Sequence, residues 1–144
     1  MTSIWIRAEQ RPNEQRIGVT PEGVSKLLDA GFKVTIERDP ARAISIQQFE
    51  KARIEDAGTW KDAPRDTIIF GLKELPNDNT PLIHRHIMFG HAYKGQAEGA
   101  RLLARFAAGG GTLYDLEYLT DETGRRVAAF GYWAGFVGAA VAIK

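Results

Sequence analysis

The sequence predicts an α/β domain on a mainly parallel sheet. Short apolar or β-branched runs recur along it, helical patterns separate several of them, and 144 residues suit a single domain. Parallel neighbours need crossover connections, which lay helices over both faces of the sheet.

Residues 4–6 form the first apolar run. Thr20, Pro21 and Glu22 then supply a cap, a first-turn proline and a first-turn acid, so a helix starts there. It carries Val24, Leu27 and Leu28 at helical spacing and stops near Gly31. Residues 32–36 alternate as a strand does. Ser45 with Gln48 predicts a second helix through Phe49 to about Ala52. Residues 67–70, ending at Gly71, and 87–89 read as further strands. A helix is predicted over 96–106, with Ala97, Ala100, Leu103 and Ala104 on one face, broken over 107–111. A strand over 112–119, a turn over 121–124, a returning strand over 126–129 and an apolar helix over 127–143 complete the pattern. That last helix reaches the C-terminus with no stop signal, as though more structure should follow.

The composition, 44% hydrophobic and 26% charged, is that of an ordinary folded domain. A net charge of +1, from 19 basic and 18 acidic residues spread along the chain, gives no field for a nucleic acid partner. With no cysteine, neither a disulfide framework nor a thiolate metal site is available. Arg7 and Glu9 interrupt the N-terminus where a signal peptide needs its apolar stretch, so the expected location is cytoplasmic. The 127–143 run is short of the ~20 residues of a membrane span. Its Gly131, Gly135 and Gly138 suit a helix buried between packed elements. No membrane partner is expected, although an exposed apolar helix there would favour self-association.

Chemistry gathers at predicted strand ends. In IIFGLKELP an apolar run meets a glycine and then Lys73 and Glu74; IMFGHAYKGQ repeats the design with His91 and Lys94. Ligands of open parallel sheets bind at the carboxyl ends of strands, so Lys73 and His91 would share one cleft as a proton-transfer pair if their strands are neighbours. Taken singly, a turn lysine and a loop histidine are the ordinary alternatives. His84 and His86 share a strand face but His91 has the opposite parity, and no metal site is expected. Asp115 and Glu117 share a parity, and Arg16, Arg125 and Arg126 offer forks for an anionic substrate. No G-x-G-x-x-G follows a strand, and no P-loop or nucleophile elbow is present.

The segments RAEQRPNEQRIGVTPEGV, GLKELP, HRHIMFGHAYKGQA and TLYDLE followed by GRRVAAFG resemble the NAD-dependent, lysine-forming saccharopine dehydrogenases; the opening motif is also similar to alanine dehydrogenase and transhydrogenase. The resemblance spans nearly the whole chain. It implies a Rossmann-like three-layer α/β domain lacking the dinucleotide fingerprint, with residues 1–144 as a substrate-binding and catalytic N-terminal domain. It also implies oxidative cleavage of saccharopine, with NAD and water, to lysine and 2-oxoglutarate, small molecules that would be the partners. Lys73 and His91 match the acid–base residues, and Glu74 and Glu117 match acids that tune them. Arg16, Arg126, Lys94, Arg11 and Glu14 match the substrate-binding set. Arg11 stands where the family commonly has lysine, and Ala92 where a cysteine often follows the histidine. NAD is expected to be bound mainly by a second domain outside this chain, which alone is then inactive. The other readings are a free-standing ligand-binding or regulatory module and a piece of an alanine dehydrogenase relative.

Overall fold

The computed structural model describes every residue except Lys94, Gln96, Phe130, Ile143 and Lys144. Six strands, β1 (Ser3–Ile6), β2 (Lys33–Glu37), β3 (Arg53–Glu55), β4 (Ile68–Phe70), β5 (Arg85–Met88) and β6 (Thr112–Asp115), form one sheet in the order β3-β2-β1-β4-β5-β6. Every adjacent pair is parallel. Helices α1 (Pro21–Asp29), α2 (Ala97–Gly109) and α3 (Tyr132–Ala142) complete the regular elements.

Strand parity divides the core in two. Ile6, Val34 and Ile36 pack with Val24 of α1 and with Phe49 on one face. Trp60, Ile69, Leu82, Met88 and Phe106 of α2 fill the other. The domain therefore has three layers, as expected. The order reverses direction between β1 and β4, which opens a crevice beyond their carboxyl ends.

Helix α1 shows its sequence signals in full. Thr20 Oγ1 accepts from Gly23 N–H at 3.1 Å. At the other end Gly31, at φ +86°, lets Phe32 N–H reach Leu27 O and Gly31 N–H reach Leu28 O, the bonding of a Schellman stop.

Several expected elements differ. The predicted 45–52 helix is a single 3-10 turn, Ile46–Phe49, because Ser45 makes no side-chain cap and Gln48 N–H bonds back only to Ser45 O. β3 and the 3-10 turn Thr59–Asp62 were not expected: Arg53 and Glu55 flank the only apolar residue of a three-residue edge strand. β5 starts earlier, at Arg85, whose charge hides the strand, and α2 runs on to Gly109. β6 stops at Asp115, whose side chain accepts from Glu117 N–H and turns the chain into a 3-10 turn over Leu116–Tyr118. The returning strand reduces to one antiparallel bridge between Thr120 and Arg126. Nor is the apolar helix buried between packed elements: in α3, Tyr132, Phe136 and Val141 are all exposed. No described helix is long and apolar enough to cross a membrane.

His84 and His86 point into the core. His84 Nε2 lies 2.9 Å from Ala63 O, and the His86 ring stands edge-on to Trp60 and Phe106. Burial, reinforced by the positive fields of Arg7, His84 and Arg105, lowers the His86 pKa from 6.5 to about 3. The unfolded chain thus binds the extra proton first. Stability contributed by neutral His86 is intact above pH 6.5, is lost as pH falls through that value, and keeps falling to about pH 3. The limiting slope is about 1.4 kcal/mol per pH unit. His86→Leu should flatten this acid loss of stability in pH-dependent urea titrations; an unchanged slope would contradict the assignment.

Candidate functional site

The site grows from the end of the central strand. Arg7 directly follows Ile6 at the end of β1 and is 1% exposed. Burial lowers its pKa, opposed mainly by the charge of Glu9 and then of Glu37. Its Nη1 donates to Glu9 Oε2 at 3.2 Å and its Nη2 to the carbonyl of Lys73. Glu9 in turn accepts from Leu72 N–H at 2.6 Å and Lys73 N–H at 3.0 Å. The glycine of FGLKELP is explained by the same guanidinium, since a Cβ on Gly71 would sit 2.4 Å from Arg7 Nε.

A second buried acid sets the neighbouring strand end. Glu37, last residue of β2, accepts from Trp5 Nε1, Ala8 N–H, Gly58 N–H and Trp60 N–H at 2.7–3.1 Å. Arg42 joins the carbonyls of Glu37 and Arg7 at 2.7 and 2.9 Å. Sequence reasoning missed Arg7, Glu9, Glu37 and Arg42. The available signal was a charge placed directly after an apolar run at the sheet centre.

The connection from β1 to α1 carries Arg11, Glu14 and Arg16. Asn13, at φ +64°, turns the chain back, a conformation asparagine tolerates. Glu14 and Arg16 then pair through both carboxylate oxygens at 2.7 and 2.6 Å. The Arg16 hydrogen bond first of all, with a smaller contribution from the Lys73 charge, holds the Glu14 pKa down to about 2. Arg11 lies 3.6 Å from Glu74, and both side chains are more than half exposed, so solvent screens the pair.

On the next strand, Gly71 N–H bonds to Ile87 O and Phe89 N–H to Leu72 O, so the ends of β4 and β5 stay in register beyond the ladder. Lys73 and His91 therefore leave adjacent strand ends. His91 adopts φ +49°, rare outside glycine, and its Nδ1 lies 2.8 Å from Glu117 Oε2. Arg126 Nη1 lies 3.6 Å from the other oxygen of Glu117. Asp115, expected to share a face with Glu117, instead accepts from Gly90 N–H and Glu117 N–H, and so holds the two loops together. A cavity of about 340 Å³ opens beside His91, lined also by Arg11, Glu74, Phe89, Gly90 and Arg101.

The structure thus brings together His91, Glu117 and Arg126; Glu14 and Arg16, within the field of Lys73; and Arg11 with Glu74. Lys94 lies outside the described residues. A dinucleotide pyrophosphate needs free backbone N–H groups at the switch point. Here the connection from β1 to α1 has no G-x-G-x-x-G and carries Glu9 and Glu14, and Gly23 N–H at the start of α1 is bonded to Thr20 Oγ1, so these residues do not fit a pyrophosphate.

Fold and site together define a doubly wound α/β domain with an ionisable crevice at its switch point. The chain belongs to the alanine dehydrogenase/PNT N-terminal domain family, whose model matches residues 5–137. It is 52% identical over 141 residues to saccharopine dehydrogenase [NAD(+), L-lysine-forming] of Schizosaccharomyces pombe, covering 96% of this chain and 38% of that protein. The Emericella nidulans protein of the same name is 52% identical over 144 residues, covering 98% and 38%. The chain therefore spans well under half the length of these relatives. Among solved structures, the transhydrogenase of Sinorhizobium meliloti superposes with a TM-score of 0.63 at 24% identity, over 84% of this chain and 36% of that one, a likeness of fold.

The Gly71 contact has a direct test. Gly71→Ala forces a methyl against a guanidinium that burial prevents from moving aside, and should destabilise the domain by about 1–3 kcal/mol. An unchanged urea midpoint would contradict that contact.

Proposed function

We propose that this chain is the substrate-binding, proton-transferring domain of an oxidoreductase that cleaves saccharopine, with NAD and water, to L-lysine and 2-oxoglutarate. The observation that carries the reading is the contact of His91 Nδ1 with Glu117 at the strand end adjacent to that of Lys73. The names of the relatives supply the substrate and the dinucleotide. NAD is held mainly by residues outside this chain, whose own β1–α1 connection lacks the G-x-G-x-x-G pattern and carries Glu9 and Glu14. A cytoplasmic setting is part of the same reading, consistent with a cysteine-free sequence.

The chain's own share is proton movement. The secondary amine of saccharopine loses its proton as its neighbouring carbon is oxidised to an imine. Water then adds to the imine carbon, and the carbon–nitrogen bond breaks as the departing amine is protonated. Lys73 takes the amine proton. His91, its Nδ1 fixed by Glu117, exchanges protons at Nε2 and activates the water. Glu117 holds the His91 ring, and Glu74 follows Lys73 directly, so a carboxylate stands beside each. Arg126 and Arg16 hold substrate carboxylates, with Arg11 and Lys94 adding positive charge. Arg16 does so by releasing one hydrogen bond to Glu14, a pairing that keeps the guanidinium oriented.

In the full-length enzyme, Lys73→Met and His91→Gln should each lower kcat by about 10²–10⁴ and each remove one limb of the pH–rate profile. Normal turnover and pH dependence in both would overturn the assignment. The 144-residue chain alone should bind NAD weakly and give no NADH from saccharopine. Detectable turnover by the purified chain would count against an externally held dinucleotide.

A further inference from the structure

We infer that Arg7 and Glu9 are positioning residues for Lys73, clamping its peptide unit from both sides, with the Glu9 carboxylate serving as a built-in anion at the switch point. The inference rests on the proposed role of Lys73 and adds to it the means by which that side chain is aimed.

Lys73 lies beyond β4, whose last registered pair is Phe70 with Ile87. The outlying bonds of the sheet use Gly71 N–H and Leu72 O and go no further. The Lys73 peptide groups bond instead to the clamp: N–H to Glu9 Oε2 at 3.0 Å, and the carbonyl to Arg7 Nη2. Leu72 N–H reaches the other Glu9 oxygen at 2.6 Å, so one carboxylate spans two consecutive amides. Side-chain exposure is 1% for Arg7 and 3% for Glu9, so neither gives way easily. Their 3.2 Å contact makes the two halves one unit.

Two consecutive amides beside a guanidinium form the kind of cradle that binds an external anion. Glu9 fills it from within. A carboxylate tethered to the central strand does not dissociate with the ligand, so the Lys73 backbone keeps one position through a catalytic cycle. Only the lysine side chain then remains to be placed by substrate, which is the condition for efficient proton transfer.

The test is made in the full-length enzyme with Glu9→Gln, an isosteric change that turns one of the two acceptors into a donor facing an N–H. The expected result is a kcat reduced by about tenfold or more with KM changed little, since a small misplacement of a reacting group costs up to ~10² in rate. The pH–rate limb that Lys73→Met abolishes should shift, while the limb that His91→Gln abolishes stays in place. A purely structural role would lower the melting temperature and leave both limbs unmoved. Should Glu9→Gln fail to fold, Arg7→Lys keeps the buried charge but loses the donor to the Lys73 carbonyl, and the same limb shift is expected from it. A folded variant of either kind with normal kcat and an unmoved Lys73 limb overturns the clamp while leaving the acid–base reading intact. Normal turnover in Lys73→Met overturns that reading, and the clamp with it.

Discussion

A guanidinium buried at the end of the central strand constrains everything around the crevice. Arg7 is buried from water, and an uncompensated charge there would cost several kcal/mol, so its partners must come from its own strand end and the neighbouring one. Glu9 supplies the charge and the Lys73 carbonyl one of the acceptors, which forces the chain after β4 to pass close by, at a residue with no Cβ. Replacing such a pair by apolar residues often leaves stability unchanged or improved, so stability alone gives no reason to keep it. What it contributes is geometry: one network fixes the exits of β1, β2 and β4, because Arg42 ties the Arg7 carbonyl to that of Glu37.

Much of the fold was legible because the elements that could be read are those whose signals are local. The Thr20 cap, Pro21 and Gly31 are each sufficient to mark a boundary of α1, and the structure realises each one. Elements defined by tertiary contacts were not legible. Buried Trp60 anchors a 3-10 turn through an amide bonded to Glu37, a residue 23 positions earlier, and no window of sequence displays that partner. β5 was shifted for a related reason: Arg85 and His86 look unlike a strand until their neighbours supply a place for each, Asp66 O for one and an aromatic cluster for the other. α3 fails differently, since its apolar composition is that of a covered helix while the described chain leaves it exposed.

The candidate site divides along the same line. Lys73 and His91 were visible because each comes just after a strand and a glycine, Gly71 two residues before Lys73 and Gly90 immediately before His91, a pattern that expresses topology. The crevice expected for both required β4 and β5 to be neighbours, and the strands do pair in parallel; the cavity beside His91 is lined by Glu74 and not by Lys73. Glu117 was assigned to a strand face shared with Asp115, yet it reaches His91 from a 3-10 turn that Asp115 itself caps. Residue type was sufficient to nominate it and periodicity pointed to the wrong element. Arg7 and Glu9 went unread because charged residues near a terminus are ordinarily solvated; only the strand order, with β1 at the centre, requires them to be buried.

That order also bears on how a fold suited to dinucleotides can present an ionisable crevice instead. At the switch point between β1 and β4 the Leu72 and Lys73 amides are met by the Glu9 carboxylate. If an external pyrophosphate were to fill that place, the loop after β1 would need glycines and neutral side chains. Here the loop carries Glu9 and Glu14, which would repel a phosphate. The same carboxylates make room for positive charge: Arg7 is neutralised from within, and Arg16 is held in a defined orientation by Glu14. A crevice so arranged suits a ligand that brings its own carboxylates to the arginines at the rim.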